Sequence, residues 1–387
     1  MPDRNCLAEK TKVRKIMKTE ETTPHLFIGA DLHKLQFTVA GFGEDEGTVE
    51  IEGVFKTDDE GYQDFCNKVH ELENKKSYFI EIAVEATGNA RYFKNRMEAE
   101  GFSVVVVNTN KFKVITMSTK KTDANDAFTL AYYLSKDMLP QSYLCDQTSE
   151  EIRRLLRMRS ILVSSIVKLK NQIHGMMLGY GIETQAAQFQ SKKRRQELLV
   201  GLENHDFSQF TASSLEMTFH ILDDMEANVK RVEAQISQMT QKNEDVEILM
   251  TMPGVGMVGA TTISAYTKDI KERFAGDFKR FSAYLGIVPS VHNSAETVRM
   301  GKITKHGPQD LRTAFVQVAL GIIRQPQNTS AWKLMADYRT MKASKGSGRA
   351  IIALTRKVAR IIFVMLNNKT PFNPEMIKKL EQTKQAG

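Results

Sequence analysis

Four carboxylates stand where the chain can assemble a metal site. Asp123 and Asp126 open a helical segment three residues apart, so both side chains lie on one face of that helix. Asp31 and Glu85 each lie at the end of a hydrophobic run that predicts a β-strand. Carboxylate oxygens are preferred ligands of Mg²⁺ and Mn²⁺. The four acids therefore predict a divalent-metal site and phosphodiester chemistry.

These acids also have an ordinary structural interpretation. Asp31 follows Gly29-Ala30 and suits a turn, and Asp123 suits a helix start, where Asp126 would favour the helix dipole. The helix-start explanation covers the two acids on one helix but leaves Asp31 and Glu85 unexplained. Metal ligation is therefore the favoured interpretation.

The elements that carry the acids alternate between strands and helices. Strands are predicted over 26–31, 35–41, 49–55, 78–84 and 103–107, and helices over 61–72, around 92–97 and from 123 onward. This order is that of an RNase H-like fold, and the placement of the acids is the site layout of its RuvC-like branch. We therefore predict an α/β RNase H-like (RuvC-like) domain over residues 25–146, preceded by a flexible basic segment over residues 1–24.

The remainder of the chain has helical periodicity. Two apolar seams with heptad-like spacing, within 149–180 and 222–239, flank a polar break rich in Gln and Lys. They predict a helical coiled-coil or oligomerisation region over residues 147–245, paired either within the chain as an antiparallel hairpin or between chains. Residues 246–387 predict a mainly α domain with a helix-hairpin-helix-like turn, in which Gly254 and Gly256 would let the backbone approach a phosphate.

Positive charge is concentrated late in the chain. The 387 residues carry a net charge of +8, but residues 297–360 hold 13 Lys and Arg against 2 Asp, a net charge of +11. Such a segment is typical of a phosphate-binding surface. The candidate nucleic-acid contacts in it are Arg299, Lys302, Lys305 and Arg312.

Composition also bounds the compartment. The three cysteines are widely spaced and form no disulfide or metal pattern, which favours a reducing environment. No apolar run approaches the length of a membrane span, and the polar, Lys-rich start has no signal-peptide core. We therefore expect a cytoplasmic protein with no membrane partner.

Two sets of motifs resemble one known family. Gly29-Ala30-Asp31-Leu32-His33-Lys34, Val84-Glu85-Ala86-Thr87-Gly88 and the 121–127 segment look like the metal-site motifs of the DEDD insertion-sequence transposases. The second half is similar to their transposase domain through three further segments: 253–256, 284–290 and 301–307 followed by Leu311-Arg312. The resemblance covers roughly residues 25–365, with every motif in the family's order.

The resemblance implies more than the acids alone. Family members are RNA-bridged serine recombinases, in which a serine of the second domain forms a transient phosphoserine link to DNA. The corresponding residue is Ser294, with Ser290 as the second candidate, although Ala295 stands where the family usually has Gly. The implied ligand of the four acids is Mg²⁺ or Mn²⁺. The implied location is the cytoplasm of a prokaryotic cell, with association with the nucleoid when the protein is active. The implied partners are donor and target DNA, a structured guide RNA, and further copies of the chain in a homodimer or homotetramer.

Three alternatives stay open at this stage. A Piv-type site-specific DNA invertase shares this architecture. A RuvC-like hydrolytic endonuclease would use water as the nucleophile and leave Ser294 incidental. A non-catalytic nucleic-acid-binding protein that keeps the fold is disfavoured because all four acids are present.

Overall fold

The structure is a computed structural model that describes residues 23–43, 48–109, 111–112, 122–202, 207–294, 297–329, 332–375 and 377. It divides into two compact units, residues 1–144 and residues 145–387. The basic segment predicted over residues 1–24 lies outside the described residues up to residue 22. The predicted regions 147–245 and 246–387 fall together in the second unit.

The first unit is built on a five-stranded mixed sheet. Its strands are β1 (His25–Leu32), β2 (Gln36–Phe42), β3 (Val49–Lys56), β4 (Phe79–Glu85) and β5 (Ser103–Val107), in the spatial order β3-β2-β1-β4-β5. β1 pairs with β2 and β2 with β3 in antiparallel fashion, whereas β4 pairs in parallel with β1 and with β5. The mixed α/β class and the predicted order of elements are confirmed.

Helices cover both faces of this sheet. α1 (Asp59–Lys76) and α2 (Ala90–Ala99) pack through Phe65 and Phe93 on the face that carries Ile28 and Phe37. α3 (Asp123–Ser135) packs through Leu130, Ala131 and Leu134 on the face that carries Phe27 and Phe42. Because side chains alternate between faces along a strand, Gly29 and Asp31 share the α3 face with Phe27.

The second unit starts with two long helices. α4 (Gln147–Gly179) and α6 (Gln209–Thr240) run antiparallel, since Arg159 pairs with Glu233 whereas Lys170, further along α4, pairs with Glu226. Both predicted seams pack against each other here, which confirms the pairing within the chain. The polar break between the two seams holds a 3₁₀ helix (Ala186–Phe189) and α5 (Lys192–Leu202).

Arg195 is a buried member of the basic run in this break. Its side chain is 3% exposed, and its guanidinium donates to the carbonyl of Phe189 and to the carboxylates of Asp223 and Glu226. A buried guanidinium is tolerated only when it is paired in this way. A basic residue that reads as surface in the sequence therefore fastens α5 to α6.

The rest of the second unit is a helical bundle with one hairpin. Its helices are α7 (Glu244–Met250), α8 (Met257–Thr267), α9 (Ile270–Phe274), α10 (Phe278–Leu285), α11 (Gln309–Ile323), α12 (Pro326–Thr329), α13 (Lys333–Lys345) and α14 (Ser347–Asn368). The strands β6 (Pro289–Ser294) and β7 (Thr297–Ile303) form an antiparallel hairpin. Phe281, Phe315 and Phe363 lie in the shared core, which confirms a mainly α region.

The structure also bears on the cysteines and on membrane-spanning segments. Cys66 and Cys145 are both buried, and neither forms a disulfide within the described residues. Among the described helices, none combines the length and the apolarity that crossing a bilayer requires.

Candidate metal centre

The strand register brings Asp31 and Glu85 side by side. Ala30 pairs with Val84 in the parallel β1–β4 ladder, so the next residues of the two strands, Asp31 and Glu85, are neighbours at its end. Both point to the α3 face of the sheet. The two acids that follow hydrophobic runs more than fifty residues apart in the chain therefore meet at one edge.

The start of α3 brings the other two acids to the same place. Thr122 is the N-cap and accepts a hydrogen bond from the backbone N–H of Asn125, which leaves Asp123 and Asp126 in the first turn. The N-cap interpretation of Asp123 is thus wrong, because the Thr122 hydroxyl caps the helix. Carboxylates in a first turn are favoured by the helix dipole, but this gain does not require Asp31 and Glu85 to be near.

Gly29 sets how closely α3 approaches the sheet. A Cβ at this position would overlap the carbonyl oxygen of Ala127 and come within 2.8 Å of the backbone N of Ala131. Only glycine therefore allows the backbone of α3 to rest directly on β1. The motif Gly29-Ala30-Asp31 thus supplies a carboxylate and, two residues earlier, the space for the helix that carries its partners.

Mutual repulsion and burial shape the acids' electrostatics. Burial raises the pKa of Asp31; His33 lowers it, while Asp123 and Asp126 raise it further. Burial also raises the pKa of Glu85, and Asp31 and Asp126 add to the rise. Asp31, Glu85, Asp123 and Asp126 therefore behave as one electrostatic group, called here the carboxylate cluster. Carboxylate oxygens gathered at one edge of the sheet fit the donor set of a divalent cation.

His33 is a member of the site to which sequence reasoning assigned no chemistry. Its Nε2 lies 3.2 Å from Oδ2 of Asp31 and 3.3 Å from Oδ2 of Asp123, and the three side chains are close enough to share one ion. The backbone N–H of His33 donates to the carbonyl of Gln36, and its own carbonyl accepts from Asn89 Nδ2 at 3.0 Å. The sequence feature that could have identified His33 as a site residue was its position two residues after Asp31, beyond the end of a strand.

The second predicted chemical residue lies on the β6–β7 hairpin. Ser294 is the last residue of β6 and pairs with Thr297, so it is a strand residue beside the turn of the hairpin. Ala295 lies outside the described residues. Ser290 lies at the other end of β6, where its Oγ occupies the space that a Cβ on Gly301 would need.

Two of the motifs in the second half hold the base of this hairpin. The backbone N–H of Lys305 donates to the carbonyl of Gly286, and that of Thr304 to the carbonyl of Val288. A Cβ on Gly307 would overlap the carbonyl oxygen of Tyr284. The 284–290 and 301–307 motifs therefore fit each other, and they fix the strands that lead to Ser294.

Comparisons with known proteins match both halves of the chain. A family model for DEDD-type IS110 transposases, described as "Transposase", matches residues 28–182, and the model "Transposase IS116/IS110/IS902 family" matches residues 246–333. Together they span more than half of the 387 residues. The chain belongs to the IS110 family of transposases. The resemblance stated from the motifs is confirmed.

Individual relatives of this transposase carry similar descriptions. A probable family 20 transposase of Pseudomonas aeruginosa is 23% identical over 359 residues, which cover 90% of this chain and 98% of the relative. The transposase for insertion sequence element IS1111A of Coxiella burnetii is 24% identical over 75% of this chain and 79% of its own length. The transposase for IS1328 of Yersinia enterocolitica is 22% identical over 76% and 85%.

The glycines of the IS110-family turn between α7 and α8 have different surroundings. Gly254 has a φ of +87°, and a Cβ there would come within 2.8 Å of the backbone N of Ile322 and 3.0 Å of the carbonyl oxygen of Val318 in α11. Glycine is therefore required at position 254, because a larger residue would collide with the backbone of α11. Gly256 is the N-cap of α8, and a Cβ there would meet nothing within 4 Å. Phosphate contact at these two glycines stays a prediction.

The predicted basic contacts of this transposase also differ from one another. Lys302 and Lys305 are exposed, whereas the side chain of Arg299 lies outside the described set. Arg312 donates through Nη1 to the carbonyls of Gly307 and Leu285 at 3.2 and 3.4 Å, so it also supports the hairpin base. Sequence reasoning did not single out the turn between α13 and α14, where four exposed basic residues form what we call the basic hairpin tip: Arg339, Lys342, Lys345 and Arg349.

Proposed function

We propose that this transposase cuts and rejoins DNA strands by metal-dependent recombination, with the carboxylate cluster as its metal site in an RNase H-like, RuvC-like domain. One observation carries the proposal: the β1–β4 register and the start of α3 bring four acids from three sequence segments to one edge of the sheet. The alternative structural explanation of these acids as turn and cap residues gives no reason for that convergence.

The donor set fits a divalent cation such as Mg²⁺ or Mn²⁺. Asp31, Glu85, Asp123 and Asp126 would hold it, and such an ion at this site supplies Lewis-acid activation of a phosphodiester and of an attacking oxygen. His33 adds a nitrogen atom close enough to the carboxylates of Asp31 and Asp123 to share an ion with them. The pKa values of Asp31 and Glu85 are raised first by burial and then by neighbouring carboxylates, and a bound cation would relieve this second effect.

Ser294 is proposed as the nucleophile that forms a transient phosphoserine bond with DNA. In that step the serine oxygen bonds to phosphorus while the bond from phosphorus to a deoxyribose oxygen breaks, and rejoining reverses the exchange with a new strand end. Its support is the family resemblance and a hairpin base fastened by Gly286, Lys305 and Gly307. A rigid base would hold the serine in a defined position on its hairpin.

The proposed partners are donor DNA, target DNA and a structured guide RNA, with the chain acting as a homodimer or homotetramer. Base pairing by the RNA would choose the sequence, and the protein would then contact phosphate backbones. Lys302, Lys305 and the basic hairpin tip are exposed and available for such contacts. Purification from cells that carry the native locus is expected to recover one discrete RNA, whereas scattered nucleic acid would contradict the guide.

Removal of a carboxylate tests the metal site. Asp126→Asn and Glu85→Gln are expected to abolish metal-dependent DNA cleavage and to weaken Mn²⁺ binding in a titration followed by electron paramagnetic resonance. Glu85→Gln is also expected to stabilise the metal-free fold, because it removes a buried, repelled charge. The matched control is Glu71→Gln, an exposed residue of α1. Retention of Mn²⁺ affinity by both site variants would contradict the proposal.

A trapped covalent complex tests the serine. Wild-type protein on a nicked suicide substrate is expected to give a protein–DNA adduct that survives denaturation, and Ser294→Ala is expected to give none, with Ser290→Ala as the control. A RuvC-like hydrolytic endonuclease is the second candidate, favoured by one observation: all four acids belong to the first unit and Ser294 does not. Cleavage by Ser294→Ala at the wild-type rate, without adduct, would establish the hydrolytic function.

A further inference from the structure

Thr38 is a buried polar residue that the proposed chemistry does not yet use. It lies on β2, it is 4% exposed, and its Oγ1 has no hydrogen-bond partner within the described part of the chain. A buried hydroxyl without a partner costs stability, so such groups are rare unless another function retains them.

The register places this hydroxyl beside the carboxylate cluster. Thr38 is the cross-strand partner of Asp31 in the antiparallel β1–β2 ladder, so both side chains project to the α3 face. On the same face, Asp31 is followed across the sheet by Glu85. On the other side, Thr38 faces Val54 of β3, which offers an apolar side chain. Asp31 is thus the acidic neighbour of Thr38 in this row.

Asp31 has acceptor capacity to spare. Its described side-chain contact is with Nε2 of His33 at 3.2 Å, and an ionised carboxylate has about four acceptor positions. Ligands of a metal ion are commonly held in orientation by a second hydrogen bond from the protein. The Thr38 hydroxyl, which has no described acceptor, therefore lies next to the Asp31 carboxylate, which a metal site would need to orient.

We propose that Thr38 is a positioning residue of the metal centre, whose hydroxyl donates a hydrogen bond to the Asp31 carboxylate when that carboxylate binds a divalent cation. This inference rests on the proposed metal-dependent function. It assigns the buried hydroxyl to the metal-loaded state, which explains why it lacks a partner among the described residues. Thr38→Val then removes a group that the metal-free protein does not use and the metal-loaded protein does.

The test measures Mn²⁺ affinity and metal-free stability on the full chain. Thr38→Val, which replaces the hydroxyl by a methyl of similar size, is expected to raise the Kd for Mn²⁺ about tenfold or more. Its melting temperature in EDTA is expected to equal or exceed that of wild type. Thr38→Ser keeps the hydroxyl and is expected to bind Mn²⁺ nearly as wild type does.

A matched control separates this effect from the loss of any buried hydroxyl. Thr355 in α14 is also buried, but its Oγ1 donates to the carbonyl of Ile351 at 2.8 Å. Thr355→Val is expected to lower the melting temperature and to leave the Mn²⁺ Kd unchanged.

Two results would overturn the inference alone. One is a Thr38→Val Kd within twofold of wild type. The other is a lower melting temperature of metal-free Thr38→Val, which would show that the hydroxyl is already bonded without metal. A wild-type protein that binds no Mn²⁺ would overturn the proposed metal function and, with it, this inference, so the two failures are distinguishable.

Discussion

At the residue scale, one glycine and four acids account for the geometry of the candidate site. Gly29 removes the steric barrier between β1 and α3, and the register then aligns Asp31 with Glu85. The acids repel one another, which is a cost to the fold that a bound cation would offset. The geometry of the candidate site therefore depends on Gly29, a residue with no functional group, as much as on the carboxylates.

Substitution of Gly29 by Ala tests this dependence. The new Cβ would overlap backbone atoms of Ala127, which cannot move without shifting α3. We expect a loss of about 2 kcal/mol in the free energy of unfolding, measured in urea. A loss of Mn²⁺ affinity should accompany it, because Asp123 and Asp126 move with the helix.

Gly88→Ala is the control for this change. Gly88 follows Glu85 in the second metal-site motif, and a Cβ there would meet nothing within 4 Å. Its unfolding free energy and Mn²⁺ affinity should stay close to those of wild type. Equal behaviour of the two variants would refute the packing role assigned to Gly29.

At the scale of elements, helix ends and hairpins place the charged groups of the second unit. Asp146 caps α4: its carboxylate accepts from the backbone N–H of Ser149 at 3.0 Å and from the Ser149 hydroxyl at 2.8 Å, and it lies 3.0 Å from Nζ of Lys268. Lys268 follows the end of α8. One carboxylate therefore starts a long helix and ties it to the bundle.

This cap predicts a pH-dependent contribution to stability. Burial opposes ionisation, but the hydrogen bonds from Ser149 and the pairing with Lys268 outweigh it and lower the pKa of Asp146 to about 2. Because the folded-state pKa lies below the unfolded value of about 3.9, the contribution is fully present above that value and is lost as the pH falls towards 2.

Asp146→Asn should therefore cost about 1 kcal/mol of unfolding free energy at pH 7, and the difference from wild type should shrink by pH 3. Urea unfolding at pH 7, 5 and 3 measures both values. The control is Asp224→Asn, an exposed residue of α6. A difference that stayed constant across this range would contradict the ionisation argument.

The basic hairpin tip is an element-scale prediction for nucleic-acid binding. We expect Lys342→Ala, Lys345→Ala and Arg349→Ala each to weaken binding to DNA of any sequence. Each should also reduce the slope of log K against log salt by about 0.9 if it removes one phosphate contact. Lys75→Ala, at an exposed position of α1, should leave the slope unchanged. Unchanged slopes in all three tip variants would show that these basic side chains contact solvent and not phosphate.

At the scale of the whole molecule, the two units divide the proposed chemistry. The first unit has its own apolar clusters on both faces of its sheet and contains the whole carboxylate cluster. The second contains Ser294, the long helical pair and the basic hairpin tip. A unit with its own core can fold alone.

A fragment tests that division. Residues 1–144 expressed alone should unfold cooperatively and bind Mn²⁺ within a fewfold of the affinity of the full chain, because every proposed ligand is present. The same fragment with Asp126→Asn serves as the control and should unfold cooperatively without binding. A folded wild-type fragment that fails to bind would show that the second unit contributes to the site.

The element types and the candidate acids could be predicted from the amino-acid sequence. Alternating and continuous apolar runs predicted all five strands of the sheet, and seams such as Ile166–Ile173 predicted the long helices, because burial on one face imposes a period. Motif order identified the family before any geometry was available. Where the chemistry is carried by residue type and local spacing, as for Asp123 and Asp126, sequence reasoning was sufficient to nominate the residues.

Which side chains meet in space could not be predicted from the sequence and was learned from the fold. The Asp31–Thr38 and Asp31–Glu85 pairings depend on strand register, which a single sequence does not specify because its partner strands are separated in the chain. The same holds for Arg195, a residue of a basic run that is buried and paired with two acids of another helix. It holds also for Gly254, where the nearby backbone of α11 leaves no room for a Cβ. The local sequence pattern shows which interactions a residue is able to make, whereas its neighbours from distant parts of the chain determine which of them it makes.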